Sequence, residues 1–271
     1  MRNKLTNELA VCGFHAVMAI AEHNPQNINR LFLREDVFNS FTWVCKKLAE
    51  RKRPYKICED EELERICKTS HHQGIVAMVY EPEIQPLTRD ELDDWAHSKK
   101  TGVVLDSVSN DHNFGAIVRS AAFFDASLII MPEDNASSKI TTSAYRIAEG
   151  GMEHVEIRTV KKVSAFIKDA SLKLITIGAD VRARQRISDL PEIIKELSAG
   201  KRSSSRADSQ TAFQPGTRPG IALVLGNEET GLSSEVRDNC SVLVRIPGTG
   251  LIESLNTAHA ASLFLHGLFE L

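Results

Sequence analysis

The chain of 271 residues has no long apolar run, no cysteines at paired metal-ligand spacing and no strong excess of charge of either sign. A membrane-spanning helix needs about 20 consecutive apolar residues, so the sequence predicts none. The five cysteines are odd in number, which favours reduced thiols in a cytoplasm and disfavours a structural zinc site. The N-terminus also lacks the basic, apolar and small-residue order of a signal peptide. We therefore expect a soluble cytoplasmic protein without a metal centre.

The net charge of −3 argues against a strongly basic nucleic-acid binder, but the charge is unevenly distributed. Residues 30–56 carry eight lysines and arginines against three acidic residues. Such a segment can meet phosphates, although a solvated helix face explains the same pattern and is favoured on charge alone.

Length and composition indicate an ordinary globular protein with two domains. The chain is 42% apolar and 25% charged, and it exceeds the usual size of one domain. Residues 1–82 predict a compact α/β domain, because helical and strand patterns alternate along them. The predicted elements are helices at 7–24, 36–51 and 59–67 and strands at 28–33, 55–57 and 75–79. Two prolines and an acidic helix follow, and they predict an inter-domain linker at 83–100.

Residues 101–271 predict a second α/β domain. Short apolar strands alternate with helices along this part, which is typical of a parallel sheet covered by helices on both faces. The segment 199–219 interrupts the alternation, since it is rich in Ser, Arg, Gly and Pro and poor in large apolar residues. It predicts a flexible insertion. Its basic side chains could touch RNA, and a solvated insertion explains them equally well.

The last 30 residues, 242–271, combine a strand, a glycine-rich turn and an almost uncharged helix. A helix with so few charges predicts burial, either in the core or against a second copy of the chain. Ser254 and Asn256 stand just before this helix, where a short polar side chain caps the first turn. A cap explains only one of these two residues and leaves the glycine-rich run unexplained, so the stretch is a candidate site.

Two further loops follow apolar strands, where ligands bind in parallel α/β sheets. In the first, Asn113 begins a helix, Gly115 indicates a close backbone approach, and Arg119 needs a phosphate or carboxylate partner. A salt-bridged arginine at the helix edge is the alternative. The second loop, 225–232, lacks the GxGxxG spacing and the Walker lysine. Three loops with one arginine, one or two carboxylates and small polar groups describe a binding or group-transfer site, and the residues do not identify the group.

The sequence shows no metal triad and no nucleophile paired with a base. The adjacent His71 and His72 have no carboxylate or cysteine at ligand spacing, so we assign them to packing in a turn.

Three ordered motifs, NFGAIVR (113–119), LGNEETGL (225–232) and IPGTGLIESLNTAHAA (246–261), resemble those of the SpoU family of RNA ribose 2′-O-methyltransferases, in the SPOUT superfamily. The N-terminal segments CGFHAV and HHQGI are similar to the L30e-like substrate-binding domain that often precedes it. The resemblance implies an α/β-knot domain at 101–271, with the C-terminal segment threaded through a loop, after an L30e-like RNA-binding domain at 1–82. It also implies a homodimer through the C-terminal domain that buries the last helix.

The resemblance further implies that S-adenosylmethionine is the cofactor and lies between the second and third loops. The matching cofactor-binding positions are Leu225, Gly226, Asn227, Gly231, Ile246, Pro247, Ser254, Leu255 and Asn256. It implies that Arg119 activates the ribose hydroxyl after meeting a substrate phosphate. The other residues that it places in the catalytic site are Asn113, Glu228, Ser254 and Asn256. Methyl transfer from a sulfonium donor needs no metal, only in-line positioning and removal of one hydroxyl proton.

The chain departs from the family's pattern at Glu229, Gly248 and the run Thr257–His259. The three ordered motifs, including Arg119, nevertheless make a methyltransferase acting on ribosomal or transfer RNA the leading hypothesis. A catalytically weak RNA-binding or ribosome-assembly factor with the same fold is the alternative, motivated by the near-neutral charge and the altered third motif. A nucleotide-binding module without an RNA substrate is disfavoured by the N-terminal domain.

Overall fold

The structure is a computed structural model that describes residues 2–3, 7–108, 110–135, 140–199 and 219–271. Nearly all of the predicted insertion at 199–219, with its basic side chains, lies outside the described residues. Within the described part, no helix is long and apolar enough to cross a membrane. All five cysteines are free thiols.

A mixed sheet of five strands and its covering helices form the N-terminal unit. Its elements are β1 (Arg2–Asn3), β2 (Glu8–Cys12), α1 (Phe14–His23), β3 (Ile28–Leu33), α2 (Glu35–Glu50), β4 (Tyr55–Ile57), α3 (Asp60–Cys67) and β5 (Ile75–Tyr80). The strand order is β1-β2-β5-β3-β4, and every pair is antiparallel except β3 with β4. This confirms the predicted small α/β unit.

The predicted helix at 7–24 is wrong in its first third, because Glu8–Cys12 is a strand between β1 and β5. All five of its residues are buried, so its apolar run does not alternate and its period cannot be told from that of a buried helix. Gly13, at a φ of 103°, separates the strand from helix α1.

A parallel sheet of seven strands forms the C-terminal unit. Its elements are α4 (Arg89–His97), β6 (Thr101–Asp106), α5 (Asp111–Phe123), β7 (Leu128–Pro132), α6 (Thr142–Ala148), β8 (Glu156–Val160), α7 (Val163–Ala170), β9 (Ile175–Ala179), β10 (Gln185–Arg186), α8 (Leu190–Ser198), β11 (Ile221–Gly226), α9 (Ser234–Asn239), β12 (Val242–Arg245) and α10 (Thr257–Phe269). The strand order is β10-β12-β9-β11-β6-β7-β8, and every pair is parallel. The predicted parallel sheet is therefore confirmed.

Alternate residues of the central strands enter two separate cores, one on each face of this sheet. Val103 and Leu105 of β6 join the larger cluster, to which α5, α6, α8 and α10 contribute. Val104 of the same strand joins the smaller one, with residues of α4, α7 and α9. Successive side chains of a strand point to opposite faces, so an unbroken apolar run is what a sheet covered on both sides requires.

The segment predicted as a linker packs against the C-terminal unit. Trp95 of α4 is buried in the smaller core, and its Nε1 donates a hydrogen bond to the Lys100 carbonyl at 3.2 Å. Pro86 forms an isolated parallel bridge with Thr159 at the sheet edge. The domain boundaries at 82 and 101 stay a prediction.

The two units meet through α1 and α6, and a single cluster of buried side chains runs across the junction. The Thr142 hydroxyl at the start of α6 donates to the Ala10 carbonyl of β2 at 2.6 Å. The rings of His23 and His154 make an edge contact, with centroids 4.5 Å apart. Helix α6 thus separates the N-terminal unit from α5, the helix that carries the first motif.

The closing helix α10 lies against α5 and against the central strands β6 and β11. Its buried face consists of Ala258, Ala261, Phe264, Leu265 and Leu268, while Leu263 and Phe269 remain exposed. The predicted burial of this helix is confirmed for one face.

Candidate functional site

The first two motif loops are neighbours because the strands that precede them are paired. Gly226, the last residue of β11, stands opposite Asp106, the last residue of β6. Parallel strands end at the same edge, so both following loops leave the sheet side by side. The Asn227 Nδ2 crosses between them and donates to the Ser107 carbonyl at 3.0 Å.

The loop from Gly226 to Leu232, here the closed loop, is held by its own hydrogen bonds. The Asn227 Oδ1 accepts from the backbone amides of Glu229 at 2.9 Å and Thr230 at 3.1 Å. The backbone groups of Asn227 and Gly231 bond to each other in both directions at 3.0 Å. A Cβ at Gly226 would lie 2.2 Å from the carbonyl carbon of Gly231, so only glycine fits there.

Three side chains, one from each motif, form a hydrogen-bonded chain. The Asn113 Nδ2 donates to the Glu228 Oε1 at 2.7 Å, and the Asn113 Oδ1 accepts from the Asn256 Nδ2 at 2.9 Å. The Asn256 Oδ1 also accepts from the Ala258 amide at 2.9 Å and so caps α10. Asn256 is thus both the predicted cap and a predicted site residue. Of the four polar residues expected beside Arg119 in the catalytic site, three are in contact here.

Ser254 does not join that chain. It is exposed and makes no hydrogen bond within the described part of the protein. The whole segment from Pro247 to Leu255, here the open segment, is exposed. Its residues Leu251 and Ile252 are 90% and 81% exposed.

Arg119 stands apart from the three joined side chains. In the single chain the Arg119 side chain is 59% exposed, and its Nη1 lies 3.8 Å from the Glu149 Oε1. Six residues of helix separate it from the buried Asn113, which is about 9 Å of rise and about 240° of rotation. The two residues therefore face different ways, as their spacing predicts, and the salt-bridged arginine is what the chain shows.

Two acidic residues beneath the loops were missed from the sequence. Asp106, 6% exposed, accepts from the Ser233 amide at 2.7 Å. Asp180 follows β9 and pairs with the Arg237 guanidinium at 2.8 Å. Burial raises the pKa of the Cys240 thiol to about 12, and the charges of Asp106 and Asp180 add to the rise. An aspartate at the carboxyl end of an apolar strand was the available signal for both residues, since Asp106 ends β6 and Asp180 follows β9.

The prediction that His71 and His72 pack in a turn is confirmed for one of them. His71 is exposed, whereas His72 is buried and its Nδ1 accepts from the Gly74 amide at 3.1 Å. The structure therefore gives this histidine a packing and hydrogen-bonding role.

The open segment and the closed loop together fit a small organic cofactor. No backbone–backbone hydrogen bond among the described residues involves 247–255. Apart from the Leu251 amide, which donates to the Thr249 hydroxyl at 3.4 Å, these amides and carbonyls are available to a ligand. A Cβ at Gly248 or Gly250 would meet nothing within 4 Å. The expected cofactor positions of the closed loop and its strand, Leu225, Gly226, Asn227 and Gly231, lie at the sheet edge. The others, Ile246, Pro247, Ser254, Leu255 and Asn256, follow β12 and lead into α10.

A parallel sheet with three joined loops at one edge defines a ligand-binding α/β protein suited to group transfer. Comparison with known proteins gives the family. Residues 100–266 match the model of the SpoU rRNA Methylase family. Residues 10–85 match the model described as RNA 2′-O ribose methyltransferase substrate binding. The chain therefore belongs to the SpoU rRNA methylase family.

Relatives in two bacteria match over nearly their full length. A protein of Ralstonia nicotianae, described as 23S rRNA (guanosine-2′-O-)-methyltransferase RlmB, is 30% identical over 93% of this chain and 92% of its own. The protein of Nitrosomonas europaea with the same description is 27% identical over 98% of this chain and 93% of its own.

Solved structures share the fold. The SpoU methyltransferase AviRb of Streptomyces viridochromogenes, solved with AdoMet, superimposes with a TM-score of 0.69 at 20% identity, covering 100% of this chain and 93% of that one. An AdoMet-bound rRNA methyltransferase of Sinorhizobium meliloti gives 0.68 at 20% identity, covering 97% and 87%. The predicted fold class is confirmed, while the threading of the C-terminal segment stays a prediction.

Proposed function

We propose that this chain transfers the methyl group of S-adenosylmethionine to a ribose 2′-hydroxyl of ribosomal RNA. Its family confirms the predicted enzyme class, an S-adenosylmethionine-dependent RNA 2′-O-methyltransferase. Ribosomal RNA is the favoured substrate because relatives that align along nearly the whole chain are described as acting on 23S rRNA. A cytoplasmic location follows from that substrate and is proposed with it.

The observation that carries the proposal is the hydrogen-bonded chain Glu228–Asn113–Asn256, which joins all three motifs. When bound, S-adenosylmethionine supplies an electrophilic methyl group. The joined loops hold their relative positions, and such fixed geometry is what an in-line displacement requires. Asn113 uses both its donor and its acceptor in this chain, so it sets the distance between the closed loop and the start of α10.

Arg119 is the residue that we assign to the RNA. A guanidinium stays protonated at neutral pH, so it is suited to binding a phosphate and to orienting the ribose hydroxyl rather than to accepting a proton. Its exposure in the single chain leaves it accessible to a polynucleotide.

We further propose that the protein works as a homodimer through its C-terminal unit. Phe123 at the end of α5 is 79% exposed and Phe269 at the end of α10 is 60% exposed. Phe124 lies between them, with ring centroids 4.9 Å and 6.0 Å from the two rings. A joined aromatic surface of this kind is typical of an interface. It would bring Arg119, on the same helix α5, beside a second copy.

The function is tested by methyl incorporation into RNA lacking the modification, comparing wild type with Arg119→Ala. We expect the variant to lose about 100-fold in rate, because the ribose hydroxyl is no longer oriented, with S-adenosylmethionine binding by calorimetry unchanged. Absence of cofactor binding by wild type would refute the methyltransferase. Cofactor and RNA binding without incorporation would instead favour the RNA-binding assembly factor. Mapping 2′-O-methyl groups in a deletion strain identifies the RNA.

The dimer is tested by sedimentation of Phe123→Asp. A charge in a buried aromatic contact is costly, so we expect monomers at micromolar concentration where wild type is dimeric. Leu172→Asp is the matched control, because Leu172 is 42% exposed and follows α7 on the opposite face of the sheet. A dimeric Phe123→Asp protein would place the interface elsewhere.

A further inference from the structure

A tight turn at Glu149–Gly151 lies between the N-terminal unit and the helix that carries Arg119. On one side, the turn touches α1. A Cβ at Gly150 would lie 2.9 Å from the Ala19 Cβ and 3.3 Å from the His15 carbonyl oxygen. Gly150 has a φ of 92°, so both the close approach and the backbone conformation require glycine. The path of the turn is therefore fixed by the N-terminal unit.

The other side of the turn touches α5 at Arg119 itself. A Cβ at Gly151 would lie 3.2 Å from the Val118 carbonyl oxygen and 3.3 Å from the Arg119 Cα. The turn thus acts as a spacer of fixed thickness between α1 and the backbone of Arg119. Because both contacts are close-packed, a displacement of the N-terminal unit would be transmitted through the turn to α5.

Glu149 is an unfavourable residue for its position. It ends helix α6 in the left-handed conformation, at a φ of 47°, which costs free energy for any residue with a Cβ. A carboxylate at the C-terminus of a helix also opposes the helix dipole. Glycine would satisfy both local requirements. Local rules broken in this way point to a role outside the turn.

That role is visible in the contact that Glu149 makes. Its Oε1 lies 3.8 Å from the Arg119 Nη1, and within the described residues this is the only ion pair of Arg119. The Glu149 side chain is 35% exposed and the Arg119 side chain 59%. The next two residues of the turn, Gly150 and Gly151, are buried, so the backbone that carries the Glu149 side chain is fixed. The Arg119 side chain projects from its helix into solvent. The backbone of Glu149 is therefore the fixed point of this ion pair.

We propose that Glu149 is a positioning residue for Arg119, and that the turn Glu149–Gly151 couples docking of the N-terminal unit to the direction of that guanidinium. This inference rests on the proposed function, in which Arg119 meets the RNA. When RNA binds to the N-terminal unit, the Arg119 guanidinium would then already be oriented towards it. Glu149 itself touches neither cofactor nor ribose in this scheme.

The decisive variant is Glu149→Gly, because it separates stability from positioning. Glycine relieves the left-handed strain and removes the unfavourable charge, so the melting temperature should stay level or rise. The turnover number kcat should nevertheless fall about fivefold, the range that one exposed ion pair supports. KM for RNA and the affinity for S-adenosylmethionine should stay within about twofold, because no contact with either ligand is removed. If the loss of kcat came only from a destabilised fold, the melting temperature would fall with it, so a level or higher melting temperature excludes that explanation.

Glu149→Gln keeps the shape of the side chain and should lower kcat by a similar factor. Glu156→Gln is the matched control, since Glu156 is an exposed glutamate paired with Arg158 at 3.0 Å in β8. The control should leave kcat unchanged. Equal kcat for wild type and both Glu149 variants would overturn the proposal. A higher kcat, or a lower KM for RNA, would also overturn it, by showing that Glu149 competes with the phosphate.

A double-mutant cycle with Arg119→Ala shows whether Glu149 acts through the arginine. If it does, Arg119→Ala/Glu149→Gln is as slow as Arg119→Ala alone. If the two losses multiply, the coupling is absent and the proposal fails. Failure of the proposed function looks different, since wild type itself would then transfer no methyl group and no kcat could be compared.

Discussion

The closed loop and the open segment lie at the same edge of the sheet, yet Gly226 at the start of the closed loop is packed against backbone whereas Gly248 and Gly250 of the open segment are not. The closed loop is tied by Asn227 and packs so tightly that Gly226 has no room for a Cβ. The open segment has exposed apolar side chains and glycines surrounded by empty space. The closed loop is thus fixed by the chain's own hydrogen bonds. The open segment is expected to become ordered when a ligand binds against it.

The largest effect that this comparison predicts is a contrast between Gly226→Ala and Gly248→Ala. The first places a methyl group 2.2 Å from backbone of the closed loop, so the loop must move. We expect at least about 100-fold lower methyl transfer, since small displacements near a reacting centre are costly. Its stability should fall by about 1–3 kcal/mol, as for other overpacked sites.

Gly248→Ala meets nothing within 4 Å, and its melting temperature should match that of wild type. Thermal denaturation and methyl-incorporation assays measure both variants. Equal melting temperatures for the two variants would contradict the distinction between a packed closed loop and an unpacked open segment.

A smaller effect is expected from Asn227→Ala, which removes the acceptor of two loop amides and the donor to Ser107. The amides can reach water, so we expect a loss of about 1 kcal/mol in stability. Cofactor affinity by calorimetry should fall by about tenfold, the equivalent of about 1.4 kcal/mol. Thr249→Ala in the open segment removes only a 3.4 Å contact with the Leu251 amide and should change stability by less than about 0.5 kcal/mol.

The smallest effect is one of thiol reactivity and leaves the enzyme otherwise intact. A pKa of about 12 for Cys240, against an ordinary value of 9.0, lowers its thiolate fraction at pH 8 by about 1,000-fold. Because the pKa is raised, the thiol stays protonated and resists alkylation, and its reactivity should rise with each unit of pH. A cysteine introduced by Thr249→Cys in the open segment should react at an ordinary rate. Peptide mapping after iodoacetamide treatment at pH 8 compares the two thiols, and rapid labelling of Cys240 would contradict the burial that chiefly raises its pKa.

Much of this architecture could be predicted from the sequence, because the central strands alternate between two cores and so read as short unbroken apolar runs. The same property caused the error at Glu8–Cys12, where a fully buried strand next to a helix gave no change of period. Trp95 was missed as a core residue for a related reason. The helix around Trp95 is otherwise acidic. Its packing becomes visible in the structure, where Gly102 approaches the Trp95 indole and Gly220 approaches the Trp95 backbone.

The contact between the three motifs could be predicted better than the surroundings of Arg119. Asn113 lies 115 residues before Glu228 and 143 residues before Asn256, so it could be grouped with them only through motifs, yet the three are hydrogen-bonded as a set. The exposure of Arg119 could not be predicted, because it depends on which neighbours cover α5. Glu149 carried no motif at all, and its interest arises from a backbone angle and a distance that no sequence pattern encodes.

The cluster of buried side chains that crosses from the N-terminal sheet to α5 has a consequence for how the protein comes apart. Two units with separate interiors would melt in two steps, whereas units that share an interior lose it together. Removing the N-terminal unit would expose an apolar face of α6 to water and so promote aggregation. The two units of this chain should therefore unfold cooperatively, and calorimetry should show a single endotherm.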